Sequence, residues 1–143
     1  MQKIIRYLLI IFIFLNFKTF AKENFFQEAK DLFDNGKIEE SKFLFQRNIV
    51  FNPKDSESYL YLAKIFEKQE NDSEKEKNIN STLLLEPDNE EAIYMLIDIK
   101  LEKSDIKQVE ELREKFKVIC NSLCSKIDSI DERLSNIDVK NES

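Results

Sequence analysis

Residues 58–92 read SYLYLAKIFEKQENDSEKEKNINSTLLLEPDNEEA. Apolar residues recur at helical spacing from Tyr59 to Phe66, polar Asn71-Asp72 interrupts, and a second helical run continues to Leu85. That run must stop before Pro87, because a proline pushes the residue ahead of it out of the α region. Pro53 stands 34 residues upstream in the same setting: Phe51-Asn52-Pro53-Lys54-Asp55 against Leu85-Glu86-Pro87-Asp88-Asn89. Two helices and a proline-marked turn therefore repeat with a fixed period.

The pattern extends upstream. Phe25, Phe26, Ala29, Leu32 and Phe33 share one helical face. Asn35-Gly36 then breaks the helix, and Gly36, the only glycine, stands where a C-terminal cap needs positive φ. A second helix carries Ile38, Leu44, Phe45, Ile49 and Phe51. Shifted by one period, Phe25 meets Tyr59, Ala29 meets Ala63, Leu32 meets Phe66, Phe45 meets Ile79 and Ile49 meets Leu83. A third pass is weaker: Ile93, Ile97, Ile106 and Ile119 are apolar, but Lys100, Arg113 and Asn121 are not.

These residues resemble the tetratricopeptide repeat (TPR) family, with two and a half to three repeats and a C-terminal capping helix. The resemblance rests on Phe25, Ala29, Leu32, Gly36, Ile38, Phe45 and Pro53 in one unit. In the next it rests on Tyr59, Leu62, Ala63, Phe66, Ile79 and Pro87. It implies an all-α chain in which antiparallel helix pairs stack as a short right-handed α-solenoid, since no pair buries its apolar face alone. The expected organisation is a repeat domain over residues 22–138, with units at about 22–55, 56–89 and 90–121 and a cap helix at 122–138. A disordered tail is expected at 139–143. Lys75 stands where the family places a small apolar residue.

Composition agrees with helices and narrows the chemistry. One Gly and two Pro in 143 residues leave little material for hairpins. Net charge is −6, which excludes binding to nucleic acid through phosphate contacts. There is no His, so the commonest general base and metal ligand are missing. No catalytic set, metal site or cofactor motif is present, and the expectation is a non-enzyme. Asp34-Asn35-Gly36 lacks the alternating acids of a calcium loop and reads as a turn.

Residues 1–21, MQKIIRYLLIIFIFLNFKTFA, join a basic start to an apolar run and end Thr19-Phe20-Ala21. They read as a secretory signal peptide cleaved before Lys22. The expected location is a bacterial periplasm, with no stable membrane association after cleavage. The alternative is inner-membrane anchoring through uncleaved residues 4–17. Cys120 and Cys124 are the only cysteines, and in an exported chain an even pair reads as a disulfide. Two free thiols are the alternative, because the spacing is awkward within a helix.

In the family the first helix of each pair lines a concave groove that holds a peptide or helix of a partner. By position, the resemblance assigns that groove to Phe26, Lys30, Phe33, Leu60, Lys64, Glu67, Tyr94, Asp98 and Leu101. The function it implies is an exported protein-interaction module, an adaptor or scaffold in the cell envelope. A homo-oligomeric structural protein and a thiol-redox accessory protein are the alternatives.

Overall fold

The computed structural model describes residues 25–141. The expected signal segment, residues 1–21, lies outside them. Every regular element among the described residues is helical. Three antiparallel pairs follow in order: α1 (Phe25–Asp34) with α2 (Ile38–Phe51), α3 (Ser56–Lys68) with α4 (Asp72–Leu85), and α5 (Glu90–Glu102) with α6 (Ile106–Ile119). A 3-10 turn, Cys124–Lys126, leads into α7 (Ile127–Asn141). The pairs stack as a short right-handed α-solenoid, with first helices in one layer and second helices in the other.

The period is written most clearly in the turns inside each pair. Helices α2, α4 and α6 start 34 residues apart, at Ile38, Asp72 and Ile106. Each follows a single residue in the left-handed region: Gly36 (φ 76°), Glu70 (φ 55°) and Ser104 (φ 54°). Each turn closes the same way. Lys37, Asn71 and Asp105 donate their amides to Leu32, Phe66 and Lys100 carbonyls, at 2.9 Å in all three cases. These are Schellman turns, which satisfy the orphan carbonyls of the first helix. Asn71 and Asp105 then cap the next helix, accepting from the Glu74 and Gln108 amides at 3.2 Å. Only the first copy uses glycine.

Stacking follows from small residues at the crossings. Ala29 and Ala63 are fully buried and leave room for close helix approach. Phe45 packs with Ala29, Leu62 and Ile65, so α2 is held between α1 and α3. Ile79 packs with Leu60, Ala63, Ala92 and Met95, which holds α4 between α3 and α5. In the third pair Ile97 replaces the small residue and packs with Val109 and Phe116 of α6. Ile130 of α7 completes that cluster, and Leu134 and Ile137 flank it. The apolar end of the array is thereby covered.

Two polar features lie inside the stack. Asn48 donates to Asp55 at 2.7 Å and to Ser58 at 2.9 Å, tying α2 to the start of α3 beneath Pro53. Lys75, the departure from the family pattern, is buried, and its ammonium meets Glu67 at 3.0 Å. The long side chain fills the small residue's place and sends its charge to the rim. At the other end, α7 runs to Asn141, beyond residue 139, where the sequence suggested a disordered tail. No Gly or Pro stands between Ile127 and Asn141, so nothing in the sequence stops helix propagation there.

Non-glycine residues held at positive φ carry strain of about 1 kcal/mol each. Glu70→Gly and Ser104→Gly should therefore each raise the unfolding free energy by about 0.5–1 kcal/mol, whereas Gly36→Ala should lower it by about 1 kcal/mol. Urea titrations of the three variants check the signs. Destabilisation by both glycine substitutions would contradict the turn assignment.

Candidate functional site

The layer of first helices presents a band of aromatic rings. Phe26 and Phe33 of α1 meet Tyr61 of α3 at 5.8 and 5.3 Å, both edge-on. Tyr61 stacks in turn on Phe45 at 4.9 Å, which roots the band in the core. All three outer rings are half-buried. Lysines lie over them: Lys64 is 4.8 Å from the Tyr61 ring centre and Lys68 is 5.6 Å from that of Phe33. Lys30, one turn from both Phe26 and Phe33, completes the α1 stripe. Further along, Tyr94 of α5 lies 6.1 Å from Phe116 and beneath Lys126, at 5.7 Å. Burial pushes the Tyr94 hydroxyl above its ordinary value, and the Asp98 carboxylate adds to this.

Three acids on this layer are paired. Glu91 of α5 meets Lys64 at 2.8 Å, bridging consecutive pairs. Asp98 accepts from Arg133, which ties α7 across α5. Glu67 is engaged by Lys75. These bonds close the surface into a shallow ring-and-lysine strip. A cavity of about 440 Å3 lies elsewhere: Glu28 and Leu32 of α1 and Glu39, Glu40, Phe43 and Leu44 of α2 line it.

Seven of the nine expected groove residues, Phe26, Lys30, Phe33, Lys64, Glu67, Tyr94 and Asp98, are at least partly exposed on this layer. Leu60 and Leu101 are not lining residues. They are 6% and 4% exposed, and each is a core member. Leu60 is enclosed because α5 packs closely at Ala92, and Leu101 because Ile130 of α7 lies against its cluster. Positional transfer overlooked Tyr61, the ring at the centre of the band. Its place one turn before Lys64, on the same helical face, was the available signal.

The junction to α7 is an electrostatic knot. The Glu90 carboxylate, at the start of α5, accepts the Asn121 amide at 2.7 Å, the Ser122 amide at 3.2 Å and the Leu123 amide at 3.3 Å. The Ser122 hydroxyl also donates to it. Hydrogen bonds from the Asn121 backbone and the Ser122 side chain, the two largest influences, hold its carboxyl down at about 2. In the same loop Cys120 and Cys124 are at disulfide distance, with S–S 2.06 Å and Cα–Cα 5.2 Å. No cluster of His, Cys, Asp or Glu among the described residues is arranged to hold a metal ion, and no described helix is long and apolar enough to cross a membrane.

No family model and no curated protein matches this sequence. Solved structures match its fold. The Yersinia enterocolitica type III secretion translocator chaperone SycD matches with a TM-score of 0.71 at 15% identity, covering 93% of this chain and 94% of that one. SycD in complex with a peptide of the translocator YopD matches at 0.69 and 14%, covering 88% and 98%. PcrH in complex with the chaperone binding region of PopD matches at 0.67 and 11%, covering 83% and 92%. The likeness is one of fold, a TPR-like helical repeat.

These likenesses overturn the expected location. The matching structures are cytoplasmic type III secretion chaperones, and that finding runs against the expected periplasmic or inner-membrane-anchored location. The sequence misled because a basic start and an apolar run are a composition. Signal peptides share that composition with any apolar segment that a protein covers.

A depressed carboxyl contributes stability that is present above its unfolded value and lost as pH falls through its folded one. The Glu90 contribution should thus be intact at neutral pH and disappear between the ordinary glutamate range and about 2. NMR titration of the carboxyl should give a midpoint near 2 in the native chain. Glu90→Gln should flatten the acid-induced loss of α7 packing over the same interval. An ordinary midpoint would mean that the knot is not formed.

Proposed function

We propose that this protein is a non-enzymatic, chaperone-like module that holds a segment of a partner protein across its layer of first helices. The observation that carries the reading is the band of half-buried rings, Phe26, Phe33 and Tyr61, with Lys64 and Lys68 laid over it. A folded chain that keeps aromatic rings at a surface has kept them for contact. The strip is shallow, so the partner segment lies across it in extended or helical form, with apolar side chains against the rings and polar ones toward the lysines. The fold likeness to SycD with a peptide of YopD, and to PcrH with a region of PopD, supports a peptide-class partner.

The residues assigned to contact are Phe26, Lys30, Phe33, Tyr61, Lys64, Lys68 and Tyr94. Asp98 and Glu67 hold the surface in shape through Arg133 and Lys75. A photoreactive phenylalanine analogue in place of Lys68 should crosslink to one contiguous segment of one protein in native cells. The paired change Lys64→Glu and Lys68→Glu, confirmed folded by circular dichroism, should weaken capture by about tenfold as scored from a separate crosslinking position at Lys30. Unchanged yield from the charge-reversed chain would sink the proposed surface.

A further inference from the structure

The first pair has an open side. Helix α2 packs on α3 and α4 packs on α5, but among the described residues nothing takes that place on α1. The cavity of about 440 Å3 lies on this side, with Leu32, Phe43 and Leu44 as its apolar floor. Leu32 is the repeat counterpart of Phe66, which lies beneath Lys42 of α2 at 5.8 Å. Phe43 is 61% exposed. At the far end of the array the last pair is covered by α7.

We propose that residues 4–17 of this chain fill the cavity as the second helix of a preceding half-repeat. The second helices α2, α4 and α6 are each 14 residues long and begin 34 residues apart. One further period upstream, the same positions are residues 4–17, the apolar run that ends at Phe17. Ile4, Ile10, Ile11 and Leu15 fall at the register of Ile38, Leu44, Phe45 and Ile49, the residues by which α2 enters the core. Leu8 falls at the register of Lys42, which sets it over Leu32 as Lys42 is set over Phe66.

Connectivity selects this occupant over a separate molecule. Residue 24 joins Phe25, the first residue of α1. Residues 18–24 form a link that spans up to about 23 Å, whereas residues 52–55 suffice between α2 and α3. A segment tied so closely acts at an effective concentration of about millimolar order, which a competing partner must overcome. Charge does not choose the occupant. Glu39 and Glu40 are paired with Lys42 at 2.9 Å and Lys37 at 3.9 Å, and Arg47 lies over the Phe25 ring at 4.4 Å. Glu28 and Asp31 stand where α3 has Leu62 and Ile65, so the segment seats over Leu32, Phe43 and Leu44 and leaves those two acids exposed. Arg6, the only charge within residues 4–17, is in the first turn of the run, where its length carries it to the rim.

N-terminal sequencing of the chain from native cells should find residues 1–21 retained. A photoreactive phenylalanine analogue in place of Phe43, in the dilute full-length chain, should crosslink within one molecule to residues 4–17. Phe43→Asp, at an exposed site, should leave the circular dichroism spectrum unchanged. It should speed tryptic cleavage after Lys18 by about tenfold, because cleavage follows the population of the undocked segment. A native chain lacking residues 1–21, a Phe43 crosslink to a second copy or to no part of residues 4–17, or a cleavage rate indifferent to Phe43→Asp would each overturn the half-repeat.

Discussion

A helix pair has an apolar side that nothing within the pair can cover, and every other feature here answers that constraint. Ala29 and Ala63 let helices approach, and Phe45 and Ile79 then reach from one unit into the next. Each of these side chains is fully buried only because a following pair exists. Burying such a side chain is worth about 1.5–3 kcal/mol relative to exposure, so a single pair lacks the main part of its stabilisation. The array must therefore be ended as well as extended.

Termination at the C-terminal end falls to α7, through two independent means. Ile130 supplies the apolar cover, while Glu90 grips the connecting loop through three backbone amides and a hydroxyl. The cysteine pair lies within that same loop. A disulfide depends on the redox state of its surroundings. A carboxylate with its donors fixed in the backbone holds the loop in either redox state. Closing so few residues would in any case add little loop-closure stabilisation. The knot at Glu90, not the sulfur pair, is the sturdier reason for the position of α7.

What was legible in the sequence was the part that periodicity carries: helix pairs, the period and the glycine turn at Gly36. The break at Asn71-Asp72 was legible too, but the left-handed residues Glu70 and Ser104 were not, because neither residue type carries a left-handed signature. Lys75 looked like a break in the pattern because a sequence shows its charge and not the path of its methylene stem toward Glu67. Of the nine groove positions read from the sequence, seven are at least partly exposed and Leu60 and Leu101 are buried. The errors at Leu60 and Leu101 share a cause: a positional rule assigns a face, but how far the next helix encroaches on that face depends on the side chains it meets. Ala92 admits α5 over Leu60, and Ile130 brings α7 over Leu101. Location was misread because apolar composition at residues 4–17 does not by itself distinguish an export signal from an apolar stretch with another cover.

The same encroachment defines what the aromatic band can do. Packing between units takes the deepest apolar residues of the first helices, leaving rings that are rooted in the core and open on one side. Tyr61 shows this directly, stacked on buried Phe45 beneath and capped only by Lys64 above. The ion pairs that zip the surface, Lys64 with Glu91 and Arg133 with Asp98, are partly solvent-exposed. Exposed pairs contribute only about 0–1 kcal/mol, so a bound segment can displace the lysines without opposing the fold. A rigid floor with a charged cover fits the proposed role of holding a segment by its apolar side chains. Preorganised rings lower the ordering cost of binding, and the lysines keep the surface charged.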